Sequence, residues 1–239
     1  MNKLTKLSGK NKSFNACKWI PVFLDDWLVP GVPIKRRLFY LYMRYRYSAE
    51  YLASLISLRN LQRKNTPHII KRKTIREYSK RLNLRVLVET GTYLGDMVSA
   101  LSRDFDAIYS LELHKPLHEK ACLRFNGFKN IHLYFGDSAI ELEKILDQLE
   151  KPALFWLDAH YSGVGTARGP TDSPILTEIN KIFKRRKNHT ILIDDASDFN
   201  GENGYPKKEF FLQYLLENRL NYDFLIKNNI IILKPNEVN

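Results

Sequence analysis

The chain of 239 residues carries 38 Lys and Arg against 26 Asp and Glu, a formal net charge of +12. Hydrophobic residues make up 44% of it, with 13 Phe and 13 Tyr, which excludes a wholly disordered or low-complexity protein. Its two cysteines, Cys17 and Cys122, lack metal-ligand spacing, so neither a zinc site nor a disulfide scaffold is predicted. A cytoplasmic location is the default expectation.

The positive charge is confined to the first third of the chain. Residues 1–80 hold 18 Lys and Arg against 4 Asp and Glu, whereas residues 81–239 hold 20 against 22. The sequence therefore predicts a basic, tyrosine-rich helical segment over 1–80, with helices at 34–58 and 68–82, and a near-neutral domain over 81–239. We expect the segment to act as a cap, an oligomer contact or a docking element and not to contain the proposed chemistry.

The most apolar early stretch, 38–58, is not predicted to be a transmembrane helix, because Arg44, Arg46 and Glu50 interrupt it. Its mixture of arginine and aromatic side chains leaves two other roles open. Residues 36–59 could lie on an anionic membrane, at the inner surface, or form part of a homo-oligomer contact.

From residue 84, short apolar runs alternate with amphipathic stretches, which is typical of βα units around a largely parallel sheet. Only three residues, 227–229, separate the last two strands, so these are expected to pair as an antiparallel hairpin. The predicted fold is α/β and Rossmann-like, a seven-stranded, mostly parallel sheet with helices on both faces. The predicted strands are 85–89, 107–113, 131–135, 153–158, 190–194, 223–226 and 230–233, and the helices between them are 94–104, 116–125, 139–149, 174–186 and 208–218.

The turn after the first strand, from Glu89 to Gly95, reads ETGTYLG. Two glycines and a following helix would let a ligand approach the backbone and the helix N–H groups closely. Tyr93 occupies the place of the second glycine in the dinucleotide pattern Gly-x-Gly-x-x-Gly, so the turn does not match that pattern. An ordinary tight βα turn is the alternative interpretation.

Two further acidic residues end the second and third strands. Glu112 lies 17 residues after Gly95 and is expected to reach the same crevice, where a carboxylate can accept both ribose hydroxyls. Asp137, followed by Ser138, could accept from an exocyclic amine or cap the next helix, and these two roles are compatible.

These motifs, in this order and spacing, resemble those of the class I S-adenosylmethionine-dependent methyltransferases over residues 84 to 234. The resemblance implies that the Glu89–Gly95 turn lies beside the amino-acid portion of the cofactor, that Glu112 holds the ribose and that Asp137 lies near the adenine. The cofactor-binding residues that it implies are Glu89, Gly91, Thr92, Tyr93, Gly95, Glu112, Asp137 and Ser138.

Three aspartates follow the fourth and fifth strands: Asp158, Asp194 and Asp195. Neighbouring strands about 4.8 Å apart can bring these carboxylates to one point, where a cation such as Mg²⁺ would relieve their repulsion. Orientation of the substrate and capping of a turn are the metal-free alternatives. The pattern is similar to sugar O-methyltransferases of the macrocin type, which implies metal binding by these aspartates.

In that family an acidic residue two positions after the first aspartate acts as base, and here the position holds His160. An imidazole with a pKa near 6.5 can withdraw an alcohol proton, so His160, together with Asp158, is the predicted catalytic pair. The glycine-rich stretch that follows is expected to contact the acceptor through Tyr161 and Arg168. Arg168 would favour a carboxylate or phosphate on the acceptor or its carrier.

The leading hypothesis is an O-methyltransferase that uses S-adenosylmethionine, with Mg²⁺ as a second cofactor, on a sugar or other small hydroxylated acceptor. A nucleic-acid methyltransferase is one alternative, because the basic, tyrosine-rich segment suits phosphate attraction and base stacking. The fourth strand lacks the Asn/Asp-Pro-Pro-aromatic sequence of DNA amino methyltransferases, which argues against it. The other alternative is a non-catalytic nucleotide-binding or membrane-surface adaptor.

Overall fold

The computed structural model describes residues 66–159, 173–185, 187–218 and 221–236. Five predictions lie outside the described residues: the helix 34–58, the membrane or oligomer contact of residues 36–59, the catalytic role of His160 and the acceptor contacts of Tyr161 and Arg168. They stay predictions.

The described elements alternate between strands and helices, as predicted. Helix 68–82 and the seven strands are confirmed, with small shifts at their ends. The helix predicted over 94–104 is shorter, Asp96–Leu101, and follows Gly95, which has a left-handed φ of 76°. In chain order the elements are α1 (His68–Arg81), β1 (Val86–Thr90), α2 (Asp96–Leu101), β2 (Ala107–Glu112), α3 (Lys115–Arg124), β3 (Ile131–Phe135), α4 (Ser138–Leu146), β4 (Leu154–Leu157), α5 (Ile175–Lys184), β5 (Thr190–Ile193), a 3₁₀ turn (Ala196–Asp198), α6 (Lys208–Asn218), β6 (Tyr222–Lys227) and β7 (Ile230–Pro235).

The strands form one seven-stranded sheet in the order β3-β2-β1-β4-β5-β7-β6. The first five strands of that order run parallel, and β7 pairs antiparallel with both β5 and β6. Asn228 and Asn229 make the two-residue hairpin turn with φ values of 54° and 58°, which asparagine tolerates better than most side chains. The predicted mostly parallel sheet with an antiparallel C-terminal hairpin is confirmed.

Two apolar cores, one on each face of the sheet, hold the helices in place. Successive strand residues alternate between them: Leu87, Leu154 and Trp156 pack with α1, α2 and α3, whereas Val88 and Phe155 pack with α4, α5 and α6. Because both faces are covered, β1, β4 and β5 are almost entirely buried, as their continuous apolar sequences require. Within the described ranges, no helix combines the length and apolarity needed to cross a membrane.

The chain adds β2 and β3 on one side of β1 and then crosses to place β4 on its other side. The strand order therefore reverses between β1 and β4. In open α/β sheets, ligands bind outside the carboxyl ends of the strands at such a reversal. The loops that end β1, β2, β4 and β5 meet there, and they contain most of the residues singled out from the sequence.

Candidate active site

The loop after β1 is pinned to both neighbouring strands. The N–H groups of Gly91 and Thr92 both donate to the carbonyl of Leu111 in β2, each over 3.0 Å. On the other side, a Cβ on Gly91 would lie 2.7 Å from the carbonyl oxygen of Asp158, and its φ is 90°. A side chain is therefore excluded at Gly91 by close backbone contact and by conformation. This contact joins the β1 loop to the end of β4.

Glu112, at the end of β2, reaches the same loop, as its spacing predicts. Its Oε2 accepts from the backbone N–H of Tyr93 over 2.7 Å, and its Oε1 accepts from that of His114 over 2.8 Å. Tyr93 takes a left-handed φ of 48°, so the carboxylate stabilises an unusual backbone conformation. Each carboxylate oxygen can accept a second hydrogen bond, which leaves room for ligand hydroxyls.

A buried polar chain supports the loop from within. The Oε2 of Glu89 accepts from the hydroxyl of Ser110 over 2.6 Å, and that hydroxyl shares a 2.6 Å hydrogen bond with the hydroxyl of Thr92. Burial raises the pKa of Glu89 to about 8, against the opposing effect of the Ser110 hydrogen bond. The side chains of Glu89 and Thr92 thus face the protein interior, below the loop.

Gly95, the second glycine of the motif, is required by packing. A Cβ there would lie 2.7 Å from the ring of Phe125. Beside it, Arg124 pairs with Asp96 over 2.9 Å and donates to the carbonyl of Leu94, so α3 holds the start of α2. This glycine lets two helices meet behind the loop.

Asp137 caps helix α4, one of its two predicted roles. Its Oδ1 accepts from the N–H of Ala139 over 2.8 Å, which satisfies an otherwise unpaired helix donor. The preceding Gly136 donates its N–H to the carbonyl of Glu112 over 3.0 Å, so the β3 loop lies beside the end of β2. Ser138, the first residue of α4, is buried. The adenine contact stays a prediction.

The three predicted aspartates converge. One carboxylate oxygen from each of Asp158, Asp194 and Asp195 lies within 4.8 Å of the other two. The N–H of Asp158 donates to Thr90 and that of Asp194 donates to Leu157, each over 3.1 Å, so parallel pairing carries both residues to the same edge. We call these three residues the acidic cluster.

The hairpin turn holds the loop that carries the cluster's last member. Asp195 has a left-handed φ of 52°. The next residues are tied to Asn229: the N–H of Ala196 donates to its carbonyl over 2.8 Å, and that of Ser197 donates to its side-chain oxygen over 2.7 Å. The C-terminal hairpin therefore helps to shape the site.

Lys71 of helix α1 also belongs to the site, which the sequence did not reveal. Its Nζ donates to Oδ2 of Asp194 in an ion pair whose side chains are 16% and 1% exposed. The expectation that the basic segment 1–80 lies apart from the proposed chemistry is therefore wrong at Lys71. The two residues are 123 positions apart, and only the packing of α1 brings them together.

No family model and no curated protein matches the sequence. Several solved structures have a similar fold. A methyltransferase of Podospora anserina with bound S-adenosylhomocysteine (SAH) is 15% identical with a TM-score of 0.52, covering 98% of this chain and 100% of that one. An O-methyltransferase of Bacillus cereus in complex with SAH is 13% identical with a TM-score of 0.52, covering 90% and 96%. The chain has the Rossmann-like fold of S-adenosylmethionine-dependent methyltransferases.

In this methyltransferase fold the acidic cluster has the donor set for a hard divalent cation. Its ligand atoms are carboxylate oxygens, which Mg²⁺ prefers. Within the described part of the chain, Oδ1 of Asp194 is buried without a hydrogen-bond partner. Burial and the charge of Asp158 raise the pKa of Asp194, because they destabilise its negative charge. A bound cation would offset that destabilisation. The residues present fit such an ion, with Lys71 as an additional positive charge.

Glu178 is a second residue that the sequence analysis missed. It is 1% exposed, and burial raises its pKa to about 7, although the hydroxyls of Ser138 and Thr90 oppose the shift. The sequence did hold a signal for it. Glu178 falls on the apolar stripe of α5 with Ile175 and Ile182, where a carboxyl is unexpected.

Tyr205 is the third residue that the sequence did not reveal. It is buried, and its ring packs against that of Phe199, which in turn packs against the ring of Phe211. Burial and then the nearby charges of Asp158 and Asp195 raise the pKa of Tyr205, so the phenol stays protonated.

Proposed function

We propose that the chain transfers a methyl group from S-adenosylmethionine to a hydroxyl of a sugar or other small hydroxylated acceptor. The observation that carries this proposal is the backbone contact between Gly91 and Asp158. It sets the loop that resembles a cofactor motif directly against the acidic cluster. A methyl donor on one and an acceptor hydroxyl on the other would thus be neighbours, as direct transfer requires.

The cofactor side comprises the loops after β1, β2 and β3. Glu112 is already held by two backbone N–H groups, so its remaining lone pairs are pre-oriented for the two ribose hydroxyls. Asp137 and Ser138, at the start of α4, would lie beside the adenine, and the Glu89–Gly95 loop beside the amino-acid portion of the cofactor.

The acceptor side comprises the acidic cluster and the stretch after Asp158. In the proposed reaction the acceptor oxygen attacks the sulfonium methyl carbon, the carbon–sulfur bond breaks, and SAH leaves. The hydroxyl proton passes to His160, which is assigned the base role from its position in the sequence. Asp158 would orient the acceptor, while Tyr161 and Arg168 would contact it, Arg168 through a carboxylate or phosphate.

Asp158, Asp194 and Asp195 are the residues that would hold Mg²⁺. Such an ion supplies Lewis-acid stabilisation of a developing alkoxide. Assay of the same preparation before and after thorough EDTA treatment tests this part of the proposal. Activity lost on chelation and restored by Mg²⁺ supports it, whereas unchanged activity shows that the ion is not essential.

A transfer screen with a labelled methyl group on S-adenosylmethionine tests the reaction itself. Its arms are free glycans, sugar nucleotides and RNA, each incubated with the full chain. We expect label in a hydroxylated small molecule as an alkali-stable methyl ether. Label confined to RNA would favour the nucleic-acid alternative, and no label in any arm would favour a non-catalytic adaptor.

A further inference from the structure

The acidic cluster already contains a positive charge that belongs to the chain. The Nζ of Lys71 donates to Oδ2 of Asp194, a side chain with almost no exposure. A lysine side chain is ordinarily an ammonium ion at neutral pH. The ion pair therefore places a positive charge directly on the most deeply buried member of the cluster.

Helix α1 delivers this ammonium group by packing. Lys71, Ile75 and Tyr78 follow one another at spacings of four and three, so they share a helix face. Ile75 and Tyr78 are buried in the core that also contains Trp156 of β4. The helix is tied to the hairpin, because Glu77 pairs with Lys227 over 3.1 Å and, just before the helix, the hydroxyl of Thr66 donates to the carbonyl of Asn228 over 2.6 Å. The first turn of α1 is thus held against the carboxyl edge of the sheet.

We propose that Lys71 is the built-in cation of the acidic cluster and that it competes with a divalent ion for Asp194. The inference rests on the proposed cation site and is independent of the acceptor. An ion bound by one oxygen from each aspartate would share Asp194 with the ammonium group, at a short distance and in a poorly screened setting. Two cations placed in this way repel each other strongly.

Competition has a consequence for the metal requirement of the chain. Part of the negative charge that would attract a divalent ion is already neutralised, so binding of the ion requires the ammonium group to move or to be repelled. The wild-type chain is then a weak metal binder. Removal of the Lys71 charge creates a stronger site from the three aspartates that remain.

Titration of the full-length chain with Mn²⁺, followed by electron paramagnetic resonance, tests the competition without an activity assay. We expect Lys71→Met to bind Mn²⁺ about tenfold more tightly than wild type or better, equivalent to about 1.4 kcal/mol. Adding Asp158→Asn to that variant should abolish the gain. Lys73→Met is the matched control, because Lys73 is exposed on the same helix and its loss should leave Mn²⁺ affinity unchanged.

Mn²⁺ affinity in Lys71→Met that equals or falls below that of wild type overturns the proposal, as does an equal gain in Lys73→Met. If Lys71→Met does not fold, Lys71→Gln gives the same comparison, because it removes the charge but keeps a donor for Asp194. Calorimetric binding of S-adenosylmethionine to the same proteins separates the two hypotheses. Its absence from wild type would overturn the proposed function and leave the Mn²⁺ comparison intact.

Discussion

The carboxylate of Glu112 accepts a 2.7 Å hydrogen bond from the backbone N–H of Tyr93. This bond joins the end of β2 to the loop after β1, across two neighbouring strands. It holds Tyr93 in a left-handed conformation and keeps the carboxylate at the mouth of the crevice where the sheet order reverses. Glu112 therefore shapes the loop, and we propose that it also presents oxygen atoms to the cofactor.

Replacement of Glu112 should weaken cofactor binding. Glu112→Gln keeps the size of the side chain but removes the charge, and hydrogen bonds to charged groups contribute about 1.5–3 kcal/mol. We expect S-adenosylmethionine affinity, measured by calorimetry, to fall about 10- to 100-fold. Glu119→Gln, on the exposed side of α3, is the control and should bind like wild type. Equal affinity in the two variants would show that Glu112 does not contact the cofactor.

A methyl group at Gly91 should disturb the contact between the β1 loop and β4. Left-handed backbone costs a side-chain-bearing residue about 1–2 kcal/mol, and this cost also applies at Gly127, where φ is 89° and a Cβ would meet nothing within 4 Å. At Gly91 the clash with the Asp158 carbonyl adds roughly 1–3 kcal/mol. Urea unfolding should therefore show a larger loss of stability for Gly91→Ala than for Gly127→Ala. Equal losses would contradict the close packing of these two loops.

The buried Glu178 should make stability depend on pH. Its pKa is raised in the folded state from 4.5 to about 7, so the folded chain holds the proton more tightly than the unfolded chain. The stability that this bound proton contributes is fully present below pH 4.5 and is lost as the pH rises through 7. Glu178→Gln removes this loss. We therefore expect the free energy of unfolding of the variant, minus that of wild type, to be up to about 3 kcal/mol larger at pH 8 than at pH 5.

Urea unfolding of wild type and Glu178→Gln at pH 5 and pH 8 measures this gain. Glu150→Gln, an exposed carboxyl at the end of the α4 region, serves as the control and should show no such dependence. A stability difference between wild type and Glu178→Gln that is the same at both pH values would contradict burial of an ionisable Glu178.

His160 provides a test that separates binding from transfer. As the proposed base it acts on the acceptor hydroxyl and not on the cofactor. We expect His160→Ala to bind S-adenosylmethionine as wild type does while methyl transfer falls about 10²- to 10⁴-fold, the usual contribution of general base catalysis. The labelled transfer assay and calorimetry together check both halves. Transfer at the wild-type rate would remove His160 from the mechanism.

The fold follows from local patterns that the sequence carries plainly. Apolar runs separated by amphipathic stretches predict the strands and helices, and the three residues before Ile230 predict the hairpin. The convergence of Asp158, Asp194 and Asp195 also follows from pattern alone, because adjacent parallel strands end at one edge of a sheet. The same argument places Glu112 beside the Glu89–Gly95 loop.

The residues that sequence analysis misplaced are those whose positions depend on long-range pairing and burial. Lys71 lies in a segment whose composition resembles a solvated basic helix, and nothing local assigns it to a carboxylate 123 residues away. Glu89 and Thr92 belong to the cofactor-like motif, yet both side chains point inward, where they hydrogen-bond with Ser110 of the neighbouring strand. Such contacts depend on the packing of particular side chains, which periodicity does not encode.

We propose that the crevice formed by the β1 and β2 loops binds S-adenosylmethionine. Calorimetric titration of the full-length chain with S-adenosylmethionine, and in parallel with NAD, tests it most directly. We predict saturable binding of S-adenosylmethionine and none of NAD, because Tyr93 stands where a dinucleotide site needs glycine. Tight binding of NAD without binding of S-adenosylmethionine would contradict the account.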